Sequence, residues 1–190
     1  MKTLIKQLPS IVAVLGMVAG VAPRLSARQS VPPIVGTYTI RSGVPASDSE
    51  LTPEVRALVT RGDAFTGARR YAAAEREYRR AAEIARQQGH LPSHTLWHLA
   101  CAFYYEGALQ QAATVLEQLT TEAEQSGDIA VEALALYNSA WLNGRSGSGR
   151  LAGTKLDRVR NLLRSPYMPS AVRNQLDVML AQPGDVAVKP

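Results

Sequence analysis

Apolar side chains recur at helical spacing from residue 58 onward. Two sets on either side of Gly67 repeat every three or four residues: Leu58, Gly62 and Phe65, then Tyr71, Ala74, Tyr78 and Ala81. This spacing marks one face of an amphipathic helix, so the pattern predicts two helices joined by a turn. Thr52-Pro53-Glu54 supplies a capping residue, a first-turn proline and a first-turn acid, which predicts that the first helix begins there.

The same pattern returns 38 residues later and predicts an internal repeat. The second copy reads Leu96, Ala100 and Phe103, a break at Gly107, then Leu109, Ala112, Leu116 and Leu119. Small residues alternate with large ones in both copies. Two helices can approach closely where a small side chain faces a bulky one, so we expect these positions to interlock.

A third, less regular copy follows, and the chain then closes with a capping helix. Its first half reads Leu134, Tyr137, Asn138, Ala140 and Trp141, and its second half reads Leu156, Val159 and Leu163. Between them, Gly144 to Gly153 is rich in glycine and serine, which predicts an irregular interruption. Pro169-Ser170 predicts the start of the capping helix over residues 171–180.

These residues resemble the tetratricopeptide repeat family. The resemblance rests on Gly62-Asp63-Ala64-Phe65 with Ala74, Tyr78 and Ala81, and on Leu99-Ala100-Cys101-Ala102-Phe103 with Gly107, Ala112, Leu116 and Leu119. It covers about residues 54–164. The resemblance implies an all-α fold, a right-handed α-solenoid of about three antiparallel hairpins with a C-terminal capping helix. Stacks of this kind need about three units for stability, so self-association is a further expectation.

The resemblance also implies that the first helix of each hairpin lines a concave groove. The groove residues it indicates are Thr60 and Asp63 in the first copy, His94, Trp97, His98, Cys101, Tyr104 and Tyr105 in the second, and Ser139 and Asn143 in the third. Tyrosine and tryptophan are typical of binding hot spots, so we expect a partner segment in this groove. The alternative is that Trp97 and Tyr104 only pack against the neighbouring hairpin.

The N-terminus predicts export. Lys2 and Lys6 precede an uncharged stretch from Ile11 to Ala22, and Leu25-Ser26-Ala27 ends in a small residue, which together indicate a signal peptide over residues 1–27. The protein is then periplasmic or secreted. An uncleaved membrane anchor is the alternative. Residues 28–53 are rich in proline, glycine and serine and predict a mostly disordered linker, residues 54–181 form the helical domain, and residues 182–190 are a disordered tail.

Charge is segregated along the chain. Residues 54–86 hold eight arginines against five acids, residues 87–144 hold six acids and no Lys or Arg, and residues 145–173 hold seven basic residues against Asp157. We expect Arg76, Arg79 or Arg80 and Arg158 or Arg160 to face Glu117, Glu122 and Glu124 across the stack. Without the N-terminal cations the balance is nearly neutral, which disfavours nucleic acid. The basic region 145–164 remains open to an envelope or membrane surface.

Candidate chemistry is sparse, so the sequence favours binding over catalysis. Cys101 is the only cysteine, which excludes an intramolecular disulfide. His94 and His98 are one helical turn apart and can reach a common metal ion, with His90 or Glu106 as further candidate ligands. A histidine pair alone is a weak metal signal, no Glu follows His94 as in a His-Glu-x-x-His site, and no cofactor is expected. No phosphate loop or nucleophile motif is present. We therefore expect a protein-interaction adaptor, with a structural subunit of an envelope assembly, or a metal or small-ligand binder through His94 and His98, as alternatives.

Overall fold

A computed structural model describes residues 51–181, and these residues form seven α-helices with no strand among them. The helices are α1 Pro53–Gly67, α2 Tyr71–Gln87, α3 Ser93–Glu106, α4 Leu109–Ser126, α5 Ile129–Arg145, α6 Gly149–Leu163 and α7 Ser170–Ala181. Each of the first five packs against the next along the chain, and α7 contacts α5. The predicted all-α class and the packing of neighbouring helices, as in an α-solenoid, are confirmed. The predicted signal peptide, linker and tail, apart from residues 51–53, lie outside the described residues.

The first helix begins where the sequence predicts. The Thr52 side chain accepts a hydrogen bond from the Val55 amide, Pro53 occupies the first turn, and Glu54 places a negative charge near the positive end of the helix dipole. Asp128 caps α5 in the same way by accepting from the Val131 amide at 3.0 Å. The predicted capping helix is also present as α7.

Each turn between the first six helices contains one residue in the left-handed region. Four are glycines, Gly89, Gly107, Gly127 and Gly147, with φ between 74° and 89°, and the fifth is Arg69 with φ of 57°. The residue after each one donates its amide to a carbonyl five positions back, as Ser148 does to Asn143 at 2.8 Å. This hydrogen bond is the helix-ending motif that favours glycine.

The predicted interruption at residues 144–153 is wrong. Only Ser146, Gly147 and Ser148 separate α5 from α6, and they form the same kind of turn as elsewhere. Gly144, Gly149 and Gly153 lie inside helices. The glycine and serine content misled the prediction because one left-handed residue is enough to reverse the chain, and the remaining glycines are tolerated in helices whose packing stabilises them.

The interlock of small and large residues is confirmed in the first hairpin. Tyr78 of α2 lies over Gly62 of α1 so closely that a Cβ added to Gly62 would be 2.7 Å from Tyr78 Cζ. Such a contact is shorter than van der Waals packing allows. Both residues are buried. The glycine therefore sets how closely α1 and α2 approach.

Helix α5 forms the centre of the described structure. It packs between α4 and α6, contacts α7, and its residues from Ala130 to Asn143 are all buried. Arg173 fastens α7 to the preceding loop by donating to the backbone carbonyls of Leu163, Ser165 and Met168. No helix among residues 51–181 is both long and apolar enough to cross a membrane.

The acids of α4 pair with basic residues on both neighbouring outer helices. Arg86 of α2 binds Glu122 at 2.8 Å, Arg158 of α6 binds Glu124 at 2.9 Å, and Lys155 of α6 binds Glu117. The expectation that the charge blocks meet across the stack is confirmed for Arg158. It is wrong for the α2 set, because Arg79 pairs with Glu75 of its own helix and neither Arg76 nor Arg80 has an ion pair among the described residues. Arg160, the alternative to Arg158, pairs with Asp157 three residues away.

We expect Arg69→Gly to stabilise the protein by about 1 kcal/mol, because an arginine side chain is strained at positive φ and glycine is not. Gly147→Ala, at φ of 86°, should destabilise it by about the same amount. Urea unfolding followed by circular dichroism measures both. If Arg69→Gly lowers the midpoint, the left-handed turn does not limit stability.

Candidate partner-binding surface

The predicted groove stripe on α3 is buried at its N-terminal half. Trp97 is 0% exposed and His94 is 5% exposed, so neither side chain lines an open surface. The Trp97 Nε1 has no hydrogen-bond partner, which is uncommon for a buried indole. Cys101 is partly buried, and burial raises the pKa of its thiol to about 12. The thiol is therefore protonated at neutral pH and is a poor nucleophile.

The two predicted groove residues on α5 are also buried. Ser139 is 0% exposed and Asn143 is 2% exposed. Lys155 of α6 donates to the Ser139 hydroxyl at 2.6 Å and also pairs with Glu117. Serine and lysine together can form a catalytic dyad, but here the hydroxyl is sealed from any substrate and the ammonium is held by a carboxylate. The contact joins α5 to α6 and leaves no reactive group at the surface.

Asp63, also predicted for the groove, joins three helices. Its Oδ1 accepts the Tyr78 hydroxyl of α2 at 2.8 Å and lies 2.6 Å from His98 Nδ1 of α3. Burial acts to raise the pKa of Asp63, but its hydrogen bond and charge interaction with His98 outweigh burial and hold the pKa below 3.8. Burial, with a smaller contribution from Asp63, raises the pKa of Tyr78. This network positions His98, which keeps part of its ring exposed.

The histidine pair is not part of a recognisable metal site in the described residues. The His94 and His98 rings lie 4.3 Å apart between centroids. No group of three or more histidine, cysteine or acidic side chains within residues 51–181 is placed to hold a metal ion. Thr60, the remaining predicted groove residue, is exposed on α1. Its hydroxyl donates a hydrogen bond to the Arg56 carbonyl of the same helix.

The accessible part of the stripe is an aromatic surface at one end of the stack. The Tyr104 ring lies 5.9 Å from Tyr105 and 5.8 Å from Trp141 of α5, and the Arg145 guanidinium lies 4.9 Å above Trp141. Tyr105 is 55% exposed, Tyr104 is half-buried and Arg145 is exposed. The Trp141 ring is only 5% exposed, so it supports Tyr104 from beneath while the two tyrosine rings provide the accessible surface.

A second aromatic group extends this surface toward α1. The Tyr71 hydroxyl at the start of α2 donates to the Tyr105 carbonyl at 3.3 Å, and the next residue back, Arg70, lies 4.8 Å above the Phe65 ring of α1. We call the whole set the aromatic edge: Phe65, Arg70, Tyr71, Tyr104, Tyr105, Trp141 and Arg145. It lies where α1, α3 and α5 end, because these helices alternate with α2 and α4 and so run in the same direction.

The sequence placed Tyr104 and Tyr105 at a binding surface, and it placed Phe65, Tyr71 and Trp141 at packing positions. The 5% exposure of Trp141 agrees with its packing position. Arg145 follows Trp141 by four residues, which is the spacing at which side chains of one helix meet. That spacing is the signal that could have found the pair. Arg70 had no comparable signal, because the turn at Arg69 brings it back over Phe65.

Comparison with known proteins adds no relative. The chain matches no family model, no curated protein and no solved structure. Its function must therefore be inferred from its own residues.

We expect Asp63→Asn to destabilise the protein by about 1 kcal/mol near neutral pH, because the charged hydrogen bonds to His98 and Tyr78 weaken. The carboxylate has a lowered pKa, so its contribution is complete above pH 3.8 and is lost as pH falls through the folded-state pKa. Urea midpoints of both proteins should therefore differ at about pH 5, and the difference should shrink as the pH falls below 3.8 and through the lowered pKa of Asp63. A gap that stays constant over this range would contradict the assignment.

We expect Trp97→Ala to cost about 3–5 kcal/mol, because it empties a fully buried site. Trp97→Phe should cost clearly less, since most of the ring volume remains and no hydrogen bond is lost. Thermal melting monitored by far-UV circular dichroism compares them. Equal stability of Trp97→Ala and the unaltered protein would show that the indole does not contribute to the core.

Proposed function

We propose that this chain is an exported protein-interaction module, built from tetratricopeptide-like hairpins, that holds a segment of a partner protein on the aromatic edge. The single observation that carries this proposal is the pair of adjoining accessible rings, Tyr105 and Tyr104, which the buried Trp141 supports from beneath. Export is supported by the signal-peptide pattern of residues 1–27, which lie outside the described structure.

The composition of the aromatic edge suits protein recognition. Tyrosine, tryptophan and arginine are enriched in hot spots because they give large contact areas and can also hydrogen bond. Tyr104 packs against Trp141, and Tyr71 donates to the backbone of Tyr105. These contacts hold the surface in place before a partner arrives, which reduces the entropy lost on binding.

The proposed partner site is narrower than the groove that the sequence indicated. Asp63, His98, Tyr104 and Tyr105 retain accessible surface, whereas the other predicted groove residues of α3 and α5 that lie deeper, Trp97, Ser139 and Asn143, do not. A partner segment is therefore expected across the C-terminal ends of α1, α3 and α5, with the deeper residues supporting it from below.

The proposal is one of binding without catalysis. The best nucleophile candidates are Cys101, whose thiol pKa is raised by burial, and Ser139, which is fully buried. Neither combines an activated nucleophile with access for a substrate.

We expect a photo-crosslinking residue placed at Tyr105 of the full chain to capture a discrete partner in the cell that makes this protein. Tyr167 provides the matched control, because it is also an exposed tyrosine, at 85%, but lies in the loop between α6 and α7. Once the partner is known, Tyr104→Ala/Tyr105→Ala should weaken binding by about tenfold or more, and Tyr167→Ala should not.

The proposal fails if positions 105 and 167 capture the same set of proteins, or if Tyr104→Ala/Tyr105→Ala binds the partner normally while remaining folded by circular dichroism. Measuring the melting temperature of each variant separates loss of binding from loss of structure.

A further inference from the structure

Two arginines on the aromatic edge have a ring contact but no carboxylate partner. Arg70 lies over Phe65 and Arg145 lies over Trp141, at opposite ends of the surface. Neither pairs with an acid of the described helices. Six other basic residues do have such partners: Arg61, Arg79, Arg86, Lys155, Arg158 and Arg160.

The charge layout explains why these two arginines lack acids. The α4 acids Glu117, Glu122 and Glu124 are all engaged by basic residues of α2 and α6. Glu132 of α5 is taken by Arg158. These four acids are therefore not available to Arg70 or Arg145, and each of these two arginines leaves an uncompensated positive charge at one end of the aromatic edge.

We propose that the partner segment is acidic, with one carboxylate bound by Arg70, a second bound by Arg145, and apolar residues between them against the tyrosine rings. This inference rests on the proposed function and names the class of partner for that site. A guanidinium held over a ring keeps its N–H groups available at its rim, where they can bind a carboxylate in a bidentate manner.

The spacing of the helices sets the spacing of the carboxylates. Arg70, which caps α2, lies over Phe65 near the end of α1, and Arg145 is the last residue of α5. Tyr104 and Tyr105 of α3 lie between them. Two helix-to-helix steps of about 8–10 Å each give about 16–20 Å. An extended chain advances about 3.3 Å per residue, so the two acids should be about five or six residues apart.

A peptide fits this surface better than a uniform polyanion such as a nucleic acid. The exposed Glu106 follows Tyr105 directly and pairs with no basic residue of the described helices, so a negative charge lies beside the centre of the edge. A polymer with a charge on every unit would meet this carboxylate, whereas a segment with charges only at its ends would avoid it.

Selection of a random twelve-residue peptide library on the full chain tests the inference. We expect enriched peptides to carry two Asp or Glu residues about five or six positions apart, with aromatic, proline or aliphatic residues between them. A synthetic copy of an enriched peptide, measured by fluorescence anisotropy, should bind about tenfold or more weakly after its acids are changed to amides, or when 0.5 M salt is added.

A second experiment measures binding of the same peptide to variants in which pairs of arginines are replaced by glutamate. Arg70→Glu/Arg145→Glu should weaken the same peptide by about tenfold or more, and Arg76→Glu/Arg80→Glu should change it by less than about twofold. The second pair is the matched control, because Arg76 and Arg80 are exposed on α2, lack acid partners in the described helices and touch no ring of the aromatic edge. Circular dichroism confirms that both variants fold.

The outcomes separate the inference from the proposed function. Enriched peptides that need Tyr104 and Tyr105 but carry no paired acids overturn the acidic partner and leave the proposed function intact. If both charge-reversal variants weaken peptide binding equally, the attraction is general and the inference is overturned. The same conclusion follows if heparin, a general polyanion, displaces the peptide equally well from both variants. If no peptide is enriched, the proposed function fails and the inference fails with it.

Discussion

The close contact between Gly62 and Tyr78 is the constraint on which the first part of the fold depends. Because Gly62 has no side chain, the Tyr78 ring reaches the backbone of α1, and its hydroxyl then meets Asp63. Asp63 in turn binds His98 of α3. One missing side chain therefore fixes the relative positions of three helices, and this register brings the ends of α1 and α3 to the same side of the molecule.

Electrostatics supports this arrangement in a different way on the outer helices. Isolated surface ion pairs contribute little to stability, typically under about 1 kcal/mol. Here the α4 acids connect α2 to α4 and α4 to α6, so their main effect is to use up the opposite charges within the stack. Two of the arginines without an acid partner in the described helices, Arg70 and Arg145, stand beside aromatic rings, where they are available to a partner.

Much of the fold could be predicted from the sequence, because helical periodicity and capping are local signals. The start at Thr52-Pro53-Glu54 and the final helix after Pro169-Ser170 are both found. The turn at Ser146 to Ser148 was misjudged because composition does not show which glycine takes the left-handed conformation. The sequence left open whether Trp97 binds a partner or packs against the neighbouring hairpin, since helical spacing gives the face of a helix but not what covers that face, and its burial supports packing. The aromatic edge joins residues from four helices and becomes visible only when they pack.

The central claim is that partners bind at the ends of α1, α3 and α5. Hydrogen–deuterium exchange of the full chain, measured with and without the partner captured at position 105, tests it most directly. The account predicts that binding slows amide exchange around residues 65–71, 104–108 and 141–146, where turn and helix-end amides otherwise exchange readily. Protection confined to the outer helices α2, α4 and α6 would contradict it.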